Sequence, residues 1–171
     1  AYQGSARVAS VRHELIECAF ESNRALSTGS GGEAWGGGLE VEVHDVQVIA
    51  GFVTLIADST FKANEAAVDP RAGGATYSYG GGLRVWIGET GITRAASGVR
   101  TIVRTSRFIA NACGDGGAGA YVESDGTAVG AWSTLFEQCT FDGNYLTDAG
   151  SQGGAIAYGA ADTLGTSLTV R

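Results

Sequence analysis

Few side chains in this sequence could do chemistry, and their spacing limits what each can do. Asp58, Asp142 and Asp148 lie beside recurring Phe-x-x-Asn tetrapeptides, and Arg100, Arg104 and Arg107 lie along one apolar stretch. Cleaving a polysaccharide by acid–base chemistry needs facing carboxylates, helped by an Arg, Lys or His. Arg100 and Arg104 are an even number of residues apart and share a strand face, which Arg107 does not join. No acidic pair recurs, and Lys62 is the single lysine. Each of these charges therefore reads as a solvated group flanking a buried strand. His13 and His44 lack metal-ligand spacing to any cysteine and read as structural. Gly114-Asp-Gly-Gly-Ala-Gly119 has the composition of a calcium-binding turn but occurs once, without the repetition that builds such a site. The expectation is no catalytic residue, no metal and no cofactor.

The thiols and indoles are the remaining candidates. Cys18 and Cys139 occupy a position that is Ser59 and Ser106 elsewhere, so the site wants a small side chain and a packed thiol. Cys113 falls in a turn and is expected to be the free or exposed thiol. Trp35, Trp86 and Trp132 follow or lie between glycines. They could stack on sugars, but Trp86 sits between Val85 and Ile87 and is read as core or inter-loop packing.

The elements that must carry these residues are set by a repeat. Phe20-x-x-Asn23, Phe61-x-x-Asn64, Phe108-x-x-Asn111 and Phe141-x-x-Asn144 each have a Cys or Ser two residues before the Phe. A glycine pair follows each: Gly31-Gly32, Gly73-Gly74, Gly116-Gly117 and Gly153-Gly154. Leu15 to Phe20 reads as the first strand leading into such a motif. Gly36-Gly-Gly-Leu39-Glu-Val41 and Gly80-Gly-Gly-Leu83-Arg-Val85 are a second matching pair, each opening an alternating strand. The Phe-to-Phe spacings are 41, 47 and 33 residues, so insertions vary around fixed motifs. No stretch shows competing helical periodicity, and no linker divides the chain, so residues 1–171 read as one domain.

Composition agrees. The 171 residues include 28 Gly, one Pro and no Met, with Gly interleaved among strand-forming residues rather than clustered. A net charge of −7 opposes nucleic-acid binding, which needs clustered Lys and Arg. No apolar run is long enough to cross a bilayer as a helix. The start at Ala1-Tyr2, and a final Leu168-Thr-Val-Arg171 resembling a strand that leads into another motif, suggest part of a longer repeat array.

A short strand buries one face and needs backbone partners on both sides. Stacked repeats supply them, which makes a parallel β-helix solenoid the expected all-β fold. One repeat would be one long coil, with coils about 4.8 Å apart. The four Phe would stack inside, the four Asn would form a ladder at a corner in left-handed geometry, and the glycine pairs would bend the chain. These eight residues are assigned structural roles.

Phe-x-x-Asn together with Gly153-Gly-Ala-Ile156 resembles the repeat signature of the chlamydial polymorphic outer membrane proteins. Gly73-Gly-Ala-Thr76 and Gly116-Gly-Ala-Gly119 match the second motif in part, and Gly31-Gly32-Glu33 departs at the alanine. The resemblance implies a right-handed β-helix of the pectin-lyase-like kind, outside the cell or on its surface, used in adhesion or assembly. Its partners would be protein, carbohydrate or neighbouring copies. The competing expectation is a carbohydrate-active β-helix enzyme or its sugar-binding relative. Because the motifs are scaffold, function should lie where the units differ: Ser27–Gly38, Val68–Gly82, Glu89–Gly98 and Gly143–Gly153.

Overall fold

The Phe-x-x-Asn motifs pair with one another. Ala19–Glu21, Thr60–Lys62, Arg107–Ile109 and Thr140–Asp142 form a parallel four-stranded sheet in repeat order, with Phe20, Phe61, Phe108 and Phe141 in register. The computed structural model describes residues 7–8, 10–43, 47–48, 51–69, 71, 73, 76–87, 99–124, 129–148, 151, 153–160 and 164–171. The expectations for His44 and for 89–98 lie outside these residues.

The phenylalanine rings stack face to face, with centroids 4.8, 4.7 and 4.7 Å apart and planes within 7°. That distance is the spacing of neighbouring strands, so sheet geometry alone dictates the column. Phe61 and Phe108 are fully buried.

The chain is all-β among the described residues, and every strand pairing is parallel. Val11–Ile16, Phe52–Ala57, Val99–Arg104, Val129–Glu137 and Leu164–Val170 form a five-stranded sheet. Arg24–Ser27, Glu65–Val68, Ala112–Cys113 and Tyr145–Leu146 form a second four-stranded sheet, and Leu39–Val43, Leu83–Ile87, Ala120–Ser124 and Ile156–Ala160 a third. Each of the four units gives one strand to each of these sheets, so one unit is one layer. Two short sheets complete the set: Glu33–Trp35 with Tyr77–Tyr79, and Arg7–Val8 with Gln47–Val48. Alternate side chains point into a common core around Phe52, Ile56, Phe61, Leu83, Val103 and Phe136. The strand expected at Leu15 to Phe20 is two strands, split by a corner at Glu17–Cys18.

The corners differ from expectation in an instructive way. The Asn does not take the left-handed conformation; the residue before it does. Ser22, Ala63, Ala110 and Gly143 have φ of 54°, 52°, 51° and 60°. A second left-handed set precedes the Cys/Ser position: Glu17, Asp58, Thr105 and Gln138, at 55°, 52°, 50° and 53°. A left-handed residue costs an L-amino acid about 1–2 kcal/mol, so the side chain that follows each corner must hold it. Ser59 and Ser106 donate their hydroxyls to the carbonyls of Ala57 and Arg104, two residues back, at 2.7 and 2.9 Å. Cys139 Sγ makes the same contact with Glu137 O at 3.5 Å. Small polar residues recur here because only they reach back across the corner.

At the second corner each Asn bonds to the next. Asn64 Oδ1 accepts from Asn23 N and Nδ2, Asn111 Oδ1 from Asn64 N and Nδ2, and Asn144 Oδ1 from Asn111 N and Nδ2, at 2.8 to 3.1 Å. Asn64, Asn111 and Asn144 also donate through Nδ2 to the carbonyls of Phe20, Phe61 and Phe108. The expected ladder is present, and it meets the buried backbone groups of the corner.

The glycine bends require a reassignment. Gly116-Gly117 and Gly153-Gly154 do not align with Gly31-Gly32 or with Gly73, and Gly74 lies outside the described residues. Strand register places Leu39, Leu83, Ala120 and Ile156 together, so the equivalent bends are Gly36, Gly80, Gly117 and Gly153. All four have positive φ, from 58° to 77°. The equivalent tetrapeptides are therefore Gly36-Gly-Gly-Leu39, Gly80-Gly-Gly-Leu83, Gly117-Ala-Gly-Ala120 and Gly153-Gly-Ala-Ile156. After the bend the backbone passes close to the opposite corner: a Cβ on Gly81 would lie 2.2 Å from Ala112 O. The misreading arose because units one and two carry the extra strands Glu33–Trp35 and Tyr77–Tyr79 before the bend.

Candidate functional site

Those two extra strands build the most distinctive surface among the described residues. They pair in register, Glu33 beside Tyr77 and Trp35 beside Tyr79, with Ala34 and Ser78 turned inward. Strand alternation therefore puts Glu33, Trp35, Tyr77 and Tyr79 on the outer face. The Gly36 and Gly80 bends then lead into Leu39–Val43 and Leu83–Ile87. There Leu83, Val85 and Ile87 enter the core while Arg84 and Trp86 face the same outer side. The result is a cleft of about 300 Å³ at the corner between two sheets, floored by Arg84.

Arg84 is the centre of the site. It is 2 % exposed, an unusual burial for a cation. Its guanidinium donates from one terminal nitrogen to Glu40 Oε1 at 2.5 Å and from the other to Glu123 Oε2 at 3.1 Å. Glu40 is its direct neighbour across the sheet, whereas Glu123 stands opposite Trp86, one diagonal away. The guanidinium carbon also lies 3.8 Å from the Trp35 ring centroid and 5.0 Å from that of Trp86. A desolvated cation over an indole gains about 2 kcal/mol. Removing any one of these partners would leave a buried charge exposed to the desolvation cost. Arg84 Nε and Trp35 Nε1 are fully buried and have no hydrogen-bond partner.

The tyrosines extend the aromatic surface. Tyr77 and Tyr79 lie 6.2 Å apart at 9°, and Tyr79 stacks on Tyr121 at 4.4 Å. Burial, then the charge of Asp115, raises the Tyr79 phenol above its usual range; burial, then Glu123, does the same to Tyr121. Both stay neutral hydroxyls.

The residues singled out in the sequence do not converge here. Asp58, Asp142 and Asp148 are exposed, as are Arg100, Arg104 and Arg107. Arg100 and Arg104 do share the outer face of Val99–Arg104. His13 packs edge-on against Phe52 at 5.2 Å. Asp115, in the glycine-rich turn, accepts a hydrogen bond from Ser78 N at 2.6 Å, and no group of three metal-ligating side chains occurs among the described residues. The expectation for Cys113 is corrected: it is fully buried, its thiol donating to Gly116 O at 3.2 Å, and burial pushes its pKa up to about 11. The cysteine belongs to the second core cluster with Ala66 and Ala118. All three cysteines are free thiols. Trp86 is corrected too: it faces outward into the cleft, whereas Trp132 is the core indole, 3 % exposed. Two of the four variable stretches, Ser27–Gly38 and Val68–Gly82, supply the wall of the cleft. Arg84 and Glu123 were missed because their partners lie 44 and 39 residues away.

No family model, curated protein or solved structure matches the chain. No helix among the described residues is long and apolar enough to cross a membrane.

Proposed function

We propose that the stacked layers are a right-handed parallel β-helix serving as a non-enzymatic recognition and adhesion domain outside the cell or on its surface. One observation carries this reading. The recurring Phe, Asn, Cys/Ser and Gly residues are all engaged in holding the layers together, while the residues that differ between units form an aromatic cleft on the outside. That division of labour suits a display scaffold. An enzymatic role has less support. Glu40 and Glu123, the carboxylates nearest each other through Arg84, are each engaged by its guanidinium rather than held as an acid and a base. The phlegmatic geometry of a fixed ion-pair floor favours binding over proton transfer.

The test is adhesion of beads coated with the purified domain to cell-surface and matrix preparations. Saturable retention, competed by soluble domain, is the expected result. Retention no greater than that of uncoated beads, or turnover of a polysaccharide by the domain, would defeat the reading.

A further inference from the structure

We infer that the cleft over Arg84 is a binding site for a neutral saccharide. The inference rests on the recognition reading above and names the chemistry of its ligand.

The first argument is shape. Trp35, Trp86, Tyr77 and Tyr79 line one cleft of about 300 Å³, the scale of a small-ligand site. Aromatic faces carry negative potential, and the C–H face of a sugar ring is complementary to them. A protein partner would need roughly 20–30 residues a side, whereas seven residues line this cleft. The aromatics stand on paired strands, so the surface is preformed and little ordering opposes binding.

The second argument is hydrogen-bond chemistry. A sugar hydroxyl both donates and accepts. The cleft offers acceptors in the carboxylates of Glu33 and Glu123, and Glu33 is in no ion pair among the described residues. It offers donors in the phenol hydroxyls of Tyr77 and Tyr79, which line the same cleft.

The third argument is charge. Within the lining, Glu33 and Glu123 outnumber Arg84, and Arg84 already serves Glu40 and Glu123. A uronate or sulfate would meet carboxylates with no cation left to receive it. Neutral sugars meet no such penalty.

The experiment is titration of the folded domain by calorimetry and tryptophan fluorescence with neutral gluco-, xylo- and manno-oligosaccharides. Oligogalacturonate and a trimethyl-lysine peptide serve as comparisons. At least one neutral series should bind, and oligogalacturonate should bind at least tenfold more weakly. Trp35→Ala and Tyr79→Ala should each weaken binding at least tenfold, Trp35→Phe should restore part of it, and Trp132→Phe should leave it unchanged. Circular dichroism on each variant separates lost binding from lost fold; Tyr77→Ala, at an exposed position, is the second variant should Trp35→Ala unfold. Absence of binding by every neutral series, equal binding of the anionic one, preference for the cationic peptide, or indifference to Trp35→Ala and Tyr77→Ala would overturn the inference. Adhesion by a wild-type domain that binds none of the sugars would overturn the saccharide site and leave the adhesion reading standing. Loss of adhesion in wild type with sugar binding intact would do the reverse.

Discussion

Asn111 shows how much one amide can hold. Its Oδ1 accepts from Asn64 N and Nδ2, and its Nδ2 donates to Phe61 O and Asn144 Oδ1, all inside the protein. Asn111→Ala strands two buried donors, at about 1–3 kcal/mol each. Urea unfolding should show a loss of roughly 3 kcal/mol or more. The residue before it offers the opposite change. Ala110 sits at φ 51°, where Gly143 stands one unit later. Ala110→Gly relieves about 1–2 kcal/mol of left-handed strain and incurs part of that in chain entropy, for a net gain of roughly 0.5 kcal/mol. Gly143→Ala should lose a similar amount, since a Cβ there touches nothing. Cys113 makes stability depend on pH. Its thiol titrates near 9.0 when free and at about 11 when buried, so the folded state holds its proton more firmly. That contribution is complete below pH 9 and is lost as pH rises through about 11. Cys113→Ala should flatten the alkaline fall in a urea-midpoint series, and iodoacetamide should label Cys113 only in unfolded protein.

At the scale of the element, the phenylalanine column separates inner from outer strands. Phe108 is fully buried and stacks on Phe61 and Phe141, while Phe20 is half-buried and stacks on Phe61. Phe108→Ala should cost about 3–5 kcal/mol and Phe20→Ala roughly half of that. Differential scanning calorimetry of the two variants checks the order. This column was legible in the sequence because Phe and Asn recur at a fixed separation and both point to fixed places. The bends were less so. Tripling glycine before Leu39 and Leu83 gave several ways to align them with Gly153, and only strand register chooses. The left-handed corners were invisible, because Glu17, Ala63 and Gln138 are not residue types that advertise such geometry. The cleft was half-legible. Variable stretches marked where it would be built, but alternation alone could not say that Arg84 and Trp86 face out toward Trp35. That depends on the bend at Gly80, where even a Cβ would meet Arg84 at 3.0 Å.

Among the described residues the units form a stack of paired strands in which each depends on its neighbours. Its outer layers expose Ile16, Leu26, Tyr145 and Val170, at 47–59 %, while the middle layers bury Phe61 and Phe108 completely. Amide exchange should therefore be slowest around Thr60–Asn64 and Arg107–Asn111. Within that stack the asparagine ladder has a sense. Every Oδ1 receives from the layer before it, and Nδ2 of Asn64, Asn111 and Asn144 also reaches back to the preceding Phe carbonyl. A fault in it weighs more on the layer before than on the layer after. Deleting the Asn64 side chain takes the acceptor from Asn23 N and Asn23 Nδ2 and one donor from Phe20 O upstream. Downstream, Asn111 Oδ1 loses one of its two donors, but Asn111 keeps its bonds to Phe61 and Asn144, its backbone N–H included. Exchange at Asn23 should accelerate in Asn64→Ala while exchange at Asn111 holds. Damage in the ladder is therefore lopsided, with each layer's corner backbone insured by the layer after it.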